Sequence, residues 1–213
     1  MTAETAGIGL VFRETMNGFL SLGEREPRAG ERLGRVRRST LRLRATIEIP
    51  DLAAFLRDPQ HTGGLTASVD APALGSLSSG AGLFRLFAPA PHPYPRGTRL
   101  MAYEIPLSLG DRPCYLAGEK LVVGGPLWRL WPETTTLFTR LHAGSFRSDD
   151  VLGAGVLRLG LGRFLALLLT LRASGTASAA QRAGTKLRFA RFFAAQLAQS
   201  YGPRLPATRR RNA

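Results

Sequence analysis

Two carboxylates are the residues of this chain best placed to do chemistry, because the pattern around each predicts a position inside a folded core. Glu14 has the same strand phase as Phe12 and Met16. Glu104 follows Tyr103 in a second apolar segment. Burial raises the pKa of a carboxyl group, which suits it to bind a ligand or to act as a general base. The alternative is that a β-bulge turns each side chain outward or that an arginine pairs with it.

Known catalytic motifs are missing from the rest of the sequence. Ser145 lies near His142 and the pair Asp149 and Asp150, but the members of a catalytic triad meet in space rather than along the chain. The sequence has no Gly-x-Ser-x-Gly and no Gly-x-Gly-x-x-Gly, and the glycines at 153–162 are expected at bulges or bends of a curved strand. We therefore assign no catalytic residue, and an enzyme remains the less favoured class.

Histidine and cysteine are too scattered to predict a metal site, and we predict no cofactor. The three histidines lie far apart, and Cys114 has no second cysteine with which to form a disulfide. The first apolar segment, residues 8–12, is too short for a signal peptide, and the uncharged run at 164–171 is shorter than the roughly 20 residues that span a bilayer. These features favour a cytoplasmic protein and leave peripheral attachment to a membrane open.

Apolar side chains provide the candidate lining of a ligand pocket. The aromatic cluster of Trp128, Trp131 and Phe138 suits either an apolar pocket or a membrane interface, and the alternative is a packed corner of the core. Four strand residues complete the set. The candidates for the lining are Met16, Phe84, Leu86, Tyr103, Trp128, Trp131 and Phe138.

Positive charge is concentrated at the C-terminal end of the chain. The net charge is +14, and residues 151–213 contain eleven basic side chains and no Asp or Glu. Such a field attracts an anionic membrane surface or a nucleic acid. The nucleic acid is the less favoured partner, because aromatic residues do not interleave with the cations. The candidate contacts are Arg182, Lys186, Arg188 and Arg191. Because 27 of the 29 basic residues are arginine, a compositional bias of the genome is an equally good explanation.

The elements that must position these residues are mainly strands. Apolar and polar residues alternate over the first 160 positions, most clearly where Leu41, Leu43 and Ala45 alternate with Arg42 and Arg44. This pattern predicts an eight-stranded antiparallel barrel or closed sandwich, lipocalin-like in outline. The segment 23–36 is predicted to be a loop. The eight strands are expected near residues 10–21, 41–49, 65–71, 82–87, 99–109, 115–123, 134–142 and 152–159.

Helices are expected mainly at the C-terminal end. A short helix over 52–57 has Asp51 as its cap, and two further helices are predicted over 164–172 and 179–201. In the last of these, Phe189 and Phe193 lie on one broad face, and Gly202 ends the helix. We predict a single domain over 1–203 and a disordered basic tail over 204–213.

Three segments carry a resemblance to a known group of proteins. They are LVFRETMNGF at 10–19, PQHTGGL at 59–65 and LWPETTTL at 130–137. The chain resembles, over nearly its whole length, an accessory β-rich domain associated with bacterial flavoproteins of the glucose–methanol–choline (GMC) oxidoreductase family of the cholesterol-oxidase-like type. The resemblance implies a non-catalytic companion that works near lipids or sterols. The flavin-binding glycine motif of that family is absent, so no oxidase activity and no functional residue carries over.

The leading functional expectation combines the predicted barrel with its apolar lining. It is a non-catalytic module that binds a hydrophobic ligand, such as a lipid or a sterol, or a lipid surface, with a flavin oxidoreductase as a possible partner. One alternative is an enzyme that uses Glu14 or Glu104 inside a barrel cavity. Another is a basic protein that docks on a partner protein or binds nucleic acid.

Overall fold

Alternation of apolar and polar side chains produces a fold built mainly from antiparallel strands. The computed structural model of the protein describes residues 7–72, 74–160, 171–174 and 178–202. In β2, Leu41 and Leu43 are buried while Arg42 and Arg44 are exposed, as the sequence pattern predicts. The strands are β1 (Gly9–Leu22), β2 (Thr40–Ile49), β3 (Thr62–Ala71), β4 (Gly75–Ser79), β5 (Gly82–Pro89), β6 (Arg99–Leu109), β7 (Arg112–Val122), β8 (Thr136–Ala143), β9 (Val151–Arg158) and β10 (Arg172–Ser174).

Eight of these strands close into a barrel: β1, β2, β3, β5, β6, β7, β8 and β9. Each is antiparallel to its neighbour, and β9 returns to pair with β1 so that Phe19 lies opposite Val156. These eight are the strands that the sequence predicts, and the mainly β, barrel fold class is confirmed. Among the described residues, closure pairs each of the eight strands with a neighbour on both sides, which protects them from pairing with other chains.

Two strands add to the barrel. β4 pairs with β3 and β6 near Ala71 and Leu109, whereas β5 pairs with the same two strands toward the opposite end, so the two short strands share one position in the wall. β10 pairs with the first residues of β1. The eight-strand prediction missed both, because five residues and three residues give too little alternation to be recognised.

The segment predicted as a loop over 23–36 contains a helix, α1 (Pro27–Val36), and that prediction is wrong. The Glu26 carboxylate caps it by accepting hydrogen bonds from two backbone amides, and Pro27 begins it. The glycines and polar residues of this segment favour a loop when only the sequence is considered. The glycines instead allow close contact with the outer face of β1 and β9, since a Cβ added at Gly30 would lie 2.0 Å from the carbonyl oxygen of Ala154.

The other helices lie mainly at one end of the barrel. They are α2 (Leu52–Arg57), α3 (Leu130–Thr135), preceded by a 3₁₀ turn (Leu127–Arg129), and α4 (Ala179–Tyr201). The bounds of α2 and α4 and the Asp51 cap agree with the sequence prediction. The first two residues of the seventh predicted strand, 134–135, belong instead to the end of α3. The helix predicted over 164–172 falls outside the described residues except at its end, where Arg172 begins β10; the tail at 204–213 also lies outside them.

Candidate functional site

A cavity of about 350 Å³ lies inside one end of the barrel, between the strands and α4. This end is where β1 and β6 begin and where β5, β7 and β9 finish. Apolar side chains form most of the lining, as is usual for pockets that bind small molecules. The described residues that line the cavity are Phe12, Glu14, Phe84, Leu86, Met101, Tyr103, Lys120, Thr134, Leu159, Leu171, Phe189, Ala190, Phe193, Ala194 and Leu197.

A β-bulge in β5 shapes one wall of the cavity. The register with β6 shifts between Arg85 and Ala88, so Leu86 and Phe87 together face a single residue of the partner strand. Phe87 adopts a positive φ of 52°, and both side chains are buried. Leu86 lines the cavity, while Phe87 packs edge-on against Phe193 of α4 with ring centroids 5.1 Å apart. The bulge therefore supplies both a cavity wall and a seat for the helix.

The helix α4 forms the other wall of the cavity. Phe189, Phe193 and Leu197 are four residues apart and lie on one face, with Phe189 packed against Phe12 of β1 at a centroid distance of 6.0 Å. At its C-terminal end, Tyr201 donates a hydrogen bond of 2.6 Å to the Glu133 carboxylate. The same carboxylate oxygen accepts from the backbone amides of residues 123 and 124, so Glu133 ties the helix to the end of β7.

Three polar side chains meet inside the otherwise apolar cavity. Glu14 comes from β1, Tyr103 from β6 and Lys120 from β7, each on the inward phase of its strand. The Lys120 ammonium donates to Glu14 Oε2 at 3.3 Å and to the Tyr103 hydroxyl at 2.8 Å. The side chains of Glu14 and Lys120 are each only 3% exposed. We call this group the inner cluster.

The electrostatics of the inner cluster keep the Tyr103 hydroxyl protonated. Burial, and the nearby Glu14 carboxylate, raise the pKa of Tyr103 well above its ordinary value. One oxygen of the carboxylate, Glu14 Oε1, is buried and has no hydrogen-bond partner among the described residues. A buried carboxylate oxygen without a donor is costly, so the inner cluster has an unused capacity to accept a hydrogen bond.

The two carboxylates predicted from the sequence lie on opposite sides of the barrel wall. Glu14 is buried and lines the cavity. Glu104 lies on the outer face of β6, where its carboxylate pairs with Arg85 of β5. Its prediction as a buried carboxylate is wrong, because its phase is opposite to that of Tyr103, and of the two only Glu14 is placed for acid–base work inside a cavity.

Lys120 is the charged residue of the site that the sequence prediction did not include. It is one of two lysines in a chain with 27 arginines. The signal was available, because Lys120 has the same strand phase as Leu116 and Val122, both of which are buried in the core. Both faces of β7 are buried, with Glu119 on the outer side, and this obscures the alternation in the sequence.

Three of the seven residues predicted to line a pocket do so. Phe84, Leu86 and Tyr103 line the cavity, and Met16 is fully buried in the barrel core without being among the lining residues. The three predicted lining residues from the aromatic cluster lie elsewhere. Trp128 is 74% exposed in the turn that leads into α3, and Trp131 is 38% exposed in the first turn of α3. Phe138 lies on the outer face of β8, where the guanidinium of Arg28 lies 5.3 Å from its ring centroid.

The cationic residues predicted to contact an anionic surface all lie exposed along α4: Arg182, Lys186, Arg188 and Arg191. Of these, Arg188 and Arg191 lie on the side of the helix opposite its phenylalanine face. No helix among the described residues has both the length and the apolar character needed to cross a bilayer. Contact of these residues with an anionic surface stays a prediction.

The site is therefore a closed barrel with an internal cavity, apolar walls and one polar cluster. Comparisons of the chain with models of known protein families, with curated proteins and with solved structures found no match. The resemblance to a domain associated with GMC oxidoreductases thus stays a prediction. The geometry of the cavity carries the functional argument.

Proposed function

We propose that the barrel binds one small, mainly apolar molecule in the cavity beneath α4. The observation that carries the proposal is the cavity itself, about 350 Å³ of space walled by phenylalanine, leucine and methionine side chains inside a closed barrel. Eight-stranded barrels have an interior that either is filled by side chains or holds one small ligand. Here Met16 is fully buried in the barrel core, and the cavity lies at the end covered by α4.

The balance of lining residues supports an apolar ligand rather than a polar one. Eleven of the fifteen described lining residues are apolar, and the polar ones other than Thr134 form the inner cluster. Transfer of an apolar molecule into such walls is favourable by about 25 cal/mol for each Å² removed from water. Lipids and sterols are the ligand classes that match this chemistry.

Binding can be tested with a variant that fills the cavity. Ala190 and Ala194 are lining residues of α4, one turn apart, and replacing both with phenylalanine places two rings at the cavity. We expect equilibrium dialysis against dodecanol to show binding by the wild type and at least about tenfold weaker binding by the filled variant. The matched control replaces Ala195 and Gln199, exposed residues of the same helix that do not line the cavity. Equal affinity in all three proteins would contradict the proposal.

A second candidate function, attachment to an anionic lipid surface, is favoured by the exposed apolar turn before α3. Leu127 is 71% exposed and Trp128 is 74% exposed. Two residues before the turn, the amide of Gly125 donates to the carbonyl of Ser200 at the C-terminal end of α4. Tryptophan favours the membrane interface, and the cationic side of α4 would add attraction to anionic lipid.

Vesicle sedimentation tests this second candidate. We expect the protein to sediment with phosphatidylglycerol vesicles more than with phosphatidylcholine vesicles, with a loss at high salt. Replacing Leu127 and Trp128 with serine should reduce sedimentation. The control is Phe146→Ser, which removes an equally exposed aromatic residue from a different loop. Equal sedimentation of both variants would exclude a role for the turn.

A further inference from the structure

Among the described residues, the inner cluster has one carboxylate oxygen without a hydrogen-bond donor and one lysine N–H without an acceptor. Glu14 Oε1 is buried without a donor among the described residues. Lysine has three N–H donors, and the hydrogen bonds of Lys120 to Glu14 and Tyr103 use two of them. Both residues line the cavity, so a molecule bound there lies beside both side chains.

Each class of ligand head group would hydrogen-bond differently with this acceptor and this donor. A hydroxyl group donates one hydrogen bond and accepts others, so it can donate to the carboxylate oxygen while it accepts from the ammonium. A carbonyl group only accepts and leaves the carboxylate oxygen without a donor. A carboxylate adds a second negative charge beside Glu14, and an amine adds a second positive charge beside Lys120.

We infer that the cavity selects a ligand with an alcohol group, and that Glu14 and Lys120 bind this hydroxyl between them. The inference rests on the proposed function and adds the chemical class of the ligand's polar end. The net charge of the Glu14–Lys120 pair is zero, which suits a neutral head group. The ligand class is an apolar alcohol, and fatty-acid anions of the same chain are disfavoured.

The test compares dodecanol, dodecanoate and dodecane, which share one chain, by equilibrium dialysis with the full-length protein. For the wild type we expect dodecanol to bind about tenfold or more tightly than dodecanoate. Glu14→Gln removes the negative charge with little change in shape, and should raise the affinity for dodecanoate relative to dodecanol by about tenfold or more. The matched control Glu104→Gln, on the outer face, should leave the preference unchanged.

A second variant removes the polar end of the cavity. In Glu14→Leu with Lys120→Met, the preference for dodecanol over dodecane should fall by about tenfold relative to the wild type, while dodecane still binds. Circular dichroism confirms folding of each variant. Equal or tighter wild-type binding of dodecanoate, or a preference that Glu14→Gln leaves unchanged, would overturn the inference. If none of the three compounds binds the wild type, the proposed function itself fails.

Discussion

The inner cluster and the site around Glu104 contain the same kinds of groups on the two sides of one barrel wall. Inside, Glu14 is accompanied by Lys120 and a tyrosine. Outside, Glu104 is accompanied by Arg85 and by Tyr115, whose pKa is raised by burial and by the nearby carboxylate. The side chains of Glu14 and Lys120 are 3% exposed, whereas those of Arg85 and Glu104 are 30% and 20% exposed.

This difference in exposure decides what each site can do. Water reaches the outer pair, screens its charges and satisfies any hydrogen bond that the protein leaves unmade. The inner pair is enclosed by apolar side chains, so each charge depends on the other and on whatever occupies the cavity. Similar groups therefore form a surface ion pair on one face and a candidate recognition site on the other.

The largest expected effect comes from breaking the inner pair. Lys120→Met leaves the Glu14 carboxylate buried without its counter-charge, which should lower the free energy of unfolding by about 3–5 kcal/mol. Arg85→Met breaks the outer pair and should cost less than about 1 kcal/mol. Urea denaturation measures both. Equal losses would show that burial does not distinguish the two sites.

Removing both charges of the inner pair should recover most of that loss. Well-packed apolar replacements of a buried ion pair are often neutral or stabilising, so Glu14→Leu combined with Lys120→Met should be more stable than Lys120→Met by about 2 kcal/mol or more. A double-mutant cycle from urea denaturation gives the coupling energy directly. The corresponding cycle for Glu104 and Arg85 should give a coupling below about 1 kcal/mol.

A half-buried histidine beneath α4 extends the comparison to pH. His61 packs 4.7 Å from the Phe192 ring, and burial lowers its pKa below the ordinary value of 6.5. The unfolded chain therefore binds a proton at a higher pH than the folded protein, so this contribution is fully present above pH 6.5 and is lost as the pH falls from there toward the lowered pKa.

The control for this pH effect is His61→Asn, because asparagine tolerates the positive φ of 45° at this position and does not titrate. Between pH 6.5 and pH 5, we expect the free energy of unfolding of the wild type to fall more steeply than that of the variant. Below about pH 5, the titration of Asp and Glu begins to contribute as well. Parallel curves from urea denaturation would exclude the effect.

A second outer ion pair should behave as the Glu104 pair does. Arg158 and Arg35 lower the pKa of Glu31, which joins α1 to β9. Its contribution is present above the ordinary pKa of 4.5 and is lost as the pH falls through the lowered value. Glu31→Gln should cost less than about 1 kcal/mol at neutral pH, and the loss should shrink in high salt, as measured by thermal unfolding.

The smallest effect is expected at the exposed aromatic turn. Trp128 lies outside the cavity and is mostly exposed, so Trp128→Ser should change the free energy of unfolding by less than about 0.5 kcal/mol and leave dodecanol binding unchanged. Chemical denaturation and equilibrium dialysis check the two outcomes. Weaker dodecanol binding by this variant would indicate that Trp128 contacts the ligand.

Local pattern was enough to predict the barrel strands and much of the cavity wall. The alternation that buries Leu41 and Leu43 also points Glu14, Phe84 and Tyr103 inward, because successive side chains of a strand face opposite sides. The phenylalanine face of α4 follows in the same way from helical periodicity. These features depend only on neighbours a few residues apart, and such information is present in the sequence itself.

Tertiary structure alone decided which side chains meet. Glu14 and Lys120 are 106 positions apart, and only closure of the barrel brings β1 and β7 to opposite sides of one cavity. The helix α1 depends on the backbones of β1 and β9, against which its glycines pack, so composition alone predicts a loop there. The sequence determined which face of each strand is apolar, whereas the register and closure of the sheet determined the partners, because long-range pairing depends on the whole barrel rather than on any one segment.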